Sequence, residues 1–174
     1  MVIAKANTYG LEFFIKVVQN DLDTELSWLG ERRVYGKLQP TIREGKVIPE
    51  AYIGGNKEYS EIFTNDKVAS TIGFYVKSRE VNNYITTAVI DVIFTVNLKE
   101  IFGNDLRDDE RAIDDAVKIL TESQYVSSLK QVKEYIPEVF ADFDKTRIAH
   151  RDMEPFYVFS IGIDLTYREE RGCT

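Results

Sequence analysis

YITTAVIDVIFTVNLKEIF, residues 84–102, carries the architecture of this chain. Ala88, Ile90, Val92, Phe94, Val96 and Leu98 share one face of an extended backbone, and Thr87, Val89, Asp91, Ile93, Thr95 and Asn97 share the other. Neighbouring side chains of a strand point to opposite faces, so this alternation predicts a strand with one buried and one wetter face. The segment from Tyr157 to Tyr167 repeats the pattern, with Tyr157, Phe159, Ile161, Ile163, Leu165 and Tyr167 set against Val158, Ser160, Gly162, Asp164 and Thr166. Two long strands, each with one apolar face, require a sheet covered by helices on one side. The expected fold is therefore α+β, a mainly antiparallel β-sheet with two or three helices packed on one face, in a single domain over residues 1–174.

The flanking segments fit that plan. Val68 to Lys77 alternates again and runs through a polar, turn-like Arg79–Asn83 into the central strand, which predicts a β-hairpin. From Tyr9 to Leu29, Leu11, Phe14, Ile15, Val18, Leu22, Leu26 and Leu29 recur three and four apart, with Glu12, Lys16, Gln19, Asp23 and Glu25 opposite and Gly30 as the stop. That is an amphipathic helix laid on the sheet. Asp108 suits an N-cap, and Ala112, Ile113, Ala116, Val117, Ile119 and Leu120 give a second helix ending near Thr121. Leu129 to Val132 reads as a short strand. Pro137 suits a helix first turn, with Ile136, Val139, Phe140 and Phe143 on its buried side. Arg33 to Leu38 reads as a short strand, after which Pro40, Gly45, Pro49, Gly54 and Gly55 interrupt the chain. Residues 36–66 thus read as a Pro/Gly-rich loop or arm, with Lys46 to Ile48 and Glu50 to Ile53 as short extended pieces and Gly54-Gly55-Asn56 as a turn. Tyr35, Tyr52, Tyr59 and Phe63 in this region are either local packing or a partner-binding surface.

Charge and composition narrow the classes. A net charge of -7 argues against a phosphate-binding surface, because nucleic-acid affinity comes from Lys and Arg neutralising phosphates; Glu31-Arg32-Arg33 is too short and mixed to form one. The single cysteine, Cys173, allows no disulfide within the chain. The N-terminal residues do not read as a signal peptide, and no apolar run approaches the roughly 20 residues that span a membrane. The expectation is a soluble protein with no membrane partner.

Chemical motifs are mostly missing. One histidine, His150, and one cysteine do not make a zinc site, and no serine sits in a Gly-x-Ser-x-Gly elbow. Gly54-Gly55 lacks the Gly-Lys-Ser/Thr of a phosphate loop. Asn104, Asp105, Asp108, Asp109 and Glu110 lack calcium-loop spacing and suit a helix start. Asp142 and Asp144, with Lys145 and Arg147 close by, read as solvated charge. No catalytic, cofactor or metal residue is predicted. Asp91 and Asp164 are the acids to follow, each on the less apolar face of a strand beside Thr or Ser. They belong to a solvated sheet face, to a carboxylate pair in a pocket, or to the lumen of an assembly, where negative charge lets DNA slide past.

The order of elements resembles the tail-terminator and neck proteins of tailed bacteriophages, small α/β proteins that form the head–tail connector ring. The resemblance rests on Tyr35-Gly36 through Val47-Ile48-Pro49-Glu50-Ala51-Tyr52-Ile53-Gly54, then Glu58-Tyr59, Asn65-Asp66, Asp152-Met153 and the closing Phe156 to Tyr167. It implies a non-enzymatic virion protein without cofactors, made in the bacterial host cytoplasm. Such a protein would form a homo-oligomeric ring, hexameric or larger, at the tail end or head–tail junction. It would dock on tail-tube or portal-proximal connector proteins, with DNA passing through unrecognised. From the residues alone, a small carboxylate-based enzyme or ligand-binding module using Asp91 and Asp164 stays open, as does a monomeric adaptor binding through a sheet edge.

Overall fold

The alternating stretch forms the middle of the sheet. A computed structural model describes residues 1–6, 8–55, 58–63, 67–103, 108–148 and 155–168. It is a mixed α+β fold with a mainly antiparallel sheet, 27% helical and 48% strand. In chain order the elements are β1 (Val2–Ile3), α1 (Leu11–Glu25), β2 (Arg32–Arg43), β3 (Lys46–Tyr52), β4 (Tyr59–Glu61), β5 (Ser70–Asn82) and β6 (Ile85–Asn97). Then come α2 (Leu98–Phe102), α3 (Asp109–Glu122), β7 (Val126–Glu134), α4 (Tyr135–Val139), a 3-10 turn (Lys145–Arg147) and β8 (Phe156–Arg168). The strands lie in the order β4-β3-β2-β5-β6-β8-β7, with β1 on β2. The β1–β2 and β2–β5 pairs are parallel and the remaining pairs antiparallel.

On β6 and β8 the even and odd positions separate as the alternation predicts. Val92 lies between Phe74 and Ile161, and Phe94 is opposite Phe159, their rings stacked 4.6 Å apart. These residues meet α1 and α3 in the first core, with Trp28 edge-on to Phe94. The other face is not wet. Ile93 and Val158 join Tyr35, Leu38, Ile48, Ala51, Phe63, Ile136, Val139, Phe140 and Phe143 in a second core. So α1 and α3 cover one face as expected, while the short α4 helps to cover the opposite one.

Strand β2 serves both cores because its phase breaks. Val34 faces the first core and Leu38 the second, although strict alternation would put both on one side. A register shift between Val34 and Lys37 on β5 accounts for the change, since one extra residue flips the faces that follow it. Gln19 supports this bulge from α1, donating through Nε2 to the Val34 carbonyl at 3.0 Å. The helical pattern placed Gln19 on the outer side; it is 1% exposed, because it serves the bulge.

The described residues between 36 and 66 are largely strand rather than loop, and the expected short extended pieces join into β3. Glu44 and Gly45 have φ of 52° and 76°, a two-residue turn that suits the twist of β2 and β3. Pro40 and Pro49 sit opposite each other in the pairing. The Pro49 carbonyl accepts from Ile62 on the β4 side, so the N–H that Pro49 lacks also pointed away from β2. Prolines at such positions cost the β2–β3 ladder nothing. The hairpin turn is likewise shorter than expected. Arg79–Asn82 is strand, and Asn83 and Tyr84, with φ of 47° and 69°, make the turn. The central strand stops at Asn97, whose Oδ1 accepts from the Glu100 backbone N–H at 3.2 Å and starts α2.

Helix α1 ends at Glu25, short of the expected Leu29, and its carbonyls are met by Arg32 rather than by a glycine cap. The Arg32 guanidinium donates to the carbonyls of Leu22 (3.2 Å), Asp23 (2.9 Å), Leu26 (2.8 Å) and Trp28 (3.0 Å). A cation there satisfies orphan acceptors and complements the negative end of the helix dipole. Replacing Arg32 with Met keeps the apolar stem and drops the donors, and should lower stability in urea by about 3 kcal/mol. A loss below about 1 kcal/mol would show that water satisfies those carbonyls instead.

Candidate functional site

Asp91 and Asp164 come together through strand pairing. Asp91 is opposite Gly162 in the β6–β8 ladder, so Asp164 lies diagonally beside it on the same face. Neither acid faces open solvent. Asp91 is 5% exposed; its Oδ2 accepts from Lys133 Nζ at 2.8 Å and lies 3.6 Å from Lys77 Nζ. Asp164 Oδ2 accepts from Lys130 Nζ at 2.7 Å and from the Ser128 hydroxyl at 2.8 Å. The expectation of a solvated face is thus corrected for Asp91, which is buried: β7 delivers a lysine to each carboxylate, and β5 brings a second to Asp91. Bulges make this possible. Lys77 stands at the register shift in β5, and Lys130 and Lys133 flank or follow the shift in β7. At Gly162 an added Cβ would come within 2.9 Å of the Lys130 Cβ, so glycine clears the path of that neighbouring strand.

Asp142, expected as solvated charge, also pairs with Lys77. The hydrogen bond from Lys77, opposed in part by burial, holds the Asp142 carboxyl below its ordinary range. Burial pushes the Asp164 carboxyl up, but Lys130 and Ser128 together outweigh it and leave its pKa lowered. Burial likewise opposes the charge on Lys77, and the bond to Asp142 with the fields of Asp91 and Asp142 still raises its pKa. The arrangement is a chain of alternating charges, which suits neutralisation of carboxylates far better than proton transfer from them.

The four aromatics read as either local packing or an interface divide. Tyr35 and Phe63 are buried, Phe63 edge-on to Phe140 at 5.3 Å, and they belong to the second core because β3 and β4 fold back over it. Tyr52 and Tyr59 pack edge to face and line a narrow cleft with Lys5, Glu12, Gln19 and Lys37. Its volume of about 20 Å³ admits a water molecule, whereas small-molecule sites usually enclose about 300–1,000 Å³. His150, Cys173, Asn56, Asn65, Asp66, Asn104, Asp105, Asp152 and Met153 lie outside the described residues. Among the described residues, no group of three or more His, Cys, Asp or Glu is placed to hold a metal ion. No helix among them is long and apolar enough to cross a membrane.

One outward feature was missed from sequence. Strand β2 accompanies β5 only as far as Tyr75, so among the described residues the outer edge of β5 from Lys77 to Asn82 has no strand partner. The tip beyond it exposes Val81 (71%), Tyr84 (63%) and Ile85 (39%). Apolar residues inside a polar turn-like stretch were the available signal. Compared with protein-family models, curated proteins and solved structures, the chain matches none.

Stability should follow the lysine pairs at both ends of the pH scale. Asp142 and Asp164 have lowered folded pKa values, so their contribution is complete above the unfolded carboxylate value of about 4 and is lost as pH falls through the folded values. Lys77, with a raised pKa, contributes fully below about pH 10 and loses that contribution as pH rises through its folded value. Urea midpoints across pH should therefore fall at both extremes, and Asp164→Asn should flatten the acid limb. An unchanged acid limb in that variant would contradict the pairing.

Proposed function

We propose that this protein is a structural component of a tailed-bacteriophage virion, a tail-terminator or neck protein that forms a homo-oligomeric ring at the tail end or head–tail junction. The observation that carries the reading is the β5–β6 hairpin, with its unpaired edge and exposed Val81, Tyr84 and Ile85. An open strand edge beside apolar side chains is a surface for protein contact, and monomers ordinarily blunt or cover such edges. The layout resemblance adds the setting. The ring, hexameric or larger, would dock on tail-tube or connector proteins within the virion, after synthesis in the host cytoplasm. DNA would pass through without specific contacts, in keeping with a net charge of -7.

The other reading, a carboxylate-based enzyme or ligand-binding module, finds less support, because Asp91 and Asp164 are both held by lysines. The open edge of β5 also suits a monomeric adaptor that adds one partner strand. Native mass spectrometry over a range of concentrations separates ring from adaptor. The proposal expects a closed ring, or a ladder of species leading to one. A chain that stays monomeric at every concentration would count against the ring and for the adaptor.

A further inference from the structure

Among the described residues the sheet has a second open edge. β7 is the last strand in the order, on the side away from β2 and β5, and α3 packs against β7 and β8 there. Counting along the antiparallel steps β5-β6-β8-β7, β7 runs opposite to β5. A copy placed beside the first in the same orientation would therefore bring its β7 antiparallel to the free edge of β5, continuing the alternation across the boundary.

Charge on the helical face of the two edges is complementary. At the β5 edge, Arg79 pairs across to Ala88 of the first core and so points to the side on which α1 and α3 lie. Lys37 lines the cleft with Glu12 and Gln19 of α1, on that same side. Neither Lys37 nor Arg79 has an ion pair or side-chain hydrogen bond among the described residues. They stand close enough that, after burial, the charge of Arg79 helps to lower the Lys37 pKa. These are like charges at an edge, and the field of Glu12 offsets them only in part. At the β7 edge, α3 turns Glu110 and Asp114 outward, both exposed and without a partner among the described residues.

Resting on the ring reading, we infer that copies join head to tail. The Lys77–Asn82 edge of β5, with Lys37 and Arg79, takes up the β7 edge of a second copy, whose α3 brings Glu110 and Asp114 to the two cations. Such a contact is heterologous, using a different surface on each partner, and it generates a ring when the rotation closes. Strands tilted to the ring axis supply the stagger that brings β7 level with the upper part of β5. Lys77 and Arg79 on a bare edge also discourage indiscriminate strand pairing, so the acids of α3 give the right neighbour an advantage.

The test uses the full chain and two charge-reversed variants, Lys37→Glu with Arg79→Glu, and Glu110→Lys with Asp114→Lys. Each is checked for folding by circular dichroism and followed by sedimentation velocity. Each variant alone should associate at least about tenfold more weakly than the native chain. Mixed in equal amounts they should assemble again, because each supplies the surface that the other needs. Variants that assemble alone as the native chain does would overturn this contact and leave the ring reading standing. A mixture of folded variants that stays dissociated would overturn it as well. A native chain that never associates would sink both.

Discussion

Burial of both faces of the β5–β6–β8 ladder is the constraint to which the rest of the fold answers. One face is apolar throughout, and its packing on α1 and α3 follows directly, each large side chain there contributing on the order of 2 kcal/mol. The second face mixes Ile93 and Val158 with Asp91, Thr95 and Ser160, all of them buried. Burying a carboxylate is costly unless it is paired, so Asp91 requires its lysines. Burying the Thr95 hydroxyl likewise requires a partner, which Thr71 supplies directly across the strand pair. The bulges in β5 and β7 are the means by which Lys77, Lys130 and Lys133 reach that face. The bulge in β2, supported by Gln19, lets one strand contribute to both cores.

The strand cores, α1, α3 and α4 were legible in the sequence because each rests on a local period: two along Ala88–Val96 and Tyr157–Tyr167, near 3.6 along Leu11–Leu22 and Ala112–Leu120. What was not legible depends on partners distant in the chain. Asp91 in an alternating strand reads as a solvent-facing residue, and its lysine arrives from 42 residues away. Pro40 and Pro49 read as breakers, yet their mutual pairing leaves the ladder intact. Gln19 reads as surface, and only the bulge it serves explains its burial. Tyr35 and Phe63 read as either local packing or a binding surface, because nothing local announces that β3 and β4 fold over the second core.

With the acids of the ladder neutralised internally, the outward chemistry of the described residues gathers at edges rather than in a pocket. The hairpin offers backbone donors and acceptors beside exposed apolar side chains, and the cleft lined by Tyr52 and Tyr59 is small. A protein built this way is suited to contact with other chains, where a rigid two-sided core holds an edge in a fixed orientation. That link, from a doubly buried ladder to a presented edge, joins the fold to the proposed ring.

Hydrogen–deuterium exchange of the protein, assembled at high concentration and dissociated by dilution, addresses the link most directly. Amides along Asp91–Val96 should be protected in both states, since the ladder belongs to the single chain, while the outward-pointing amides of Lys77–Asn82 should gain protection only on assembly. Equal exchange of Lys77–Asn82 in the two states would contradict the account, because the edge would then play no part in joining the copies.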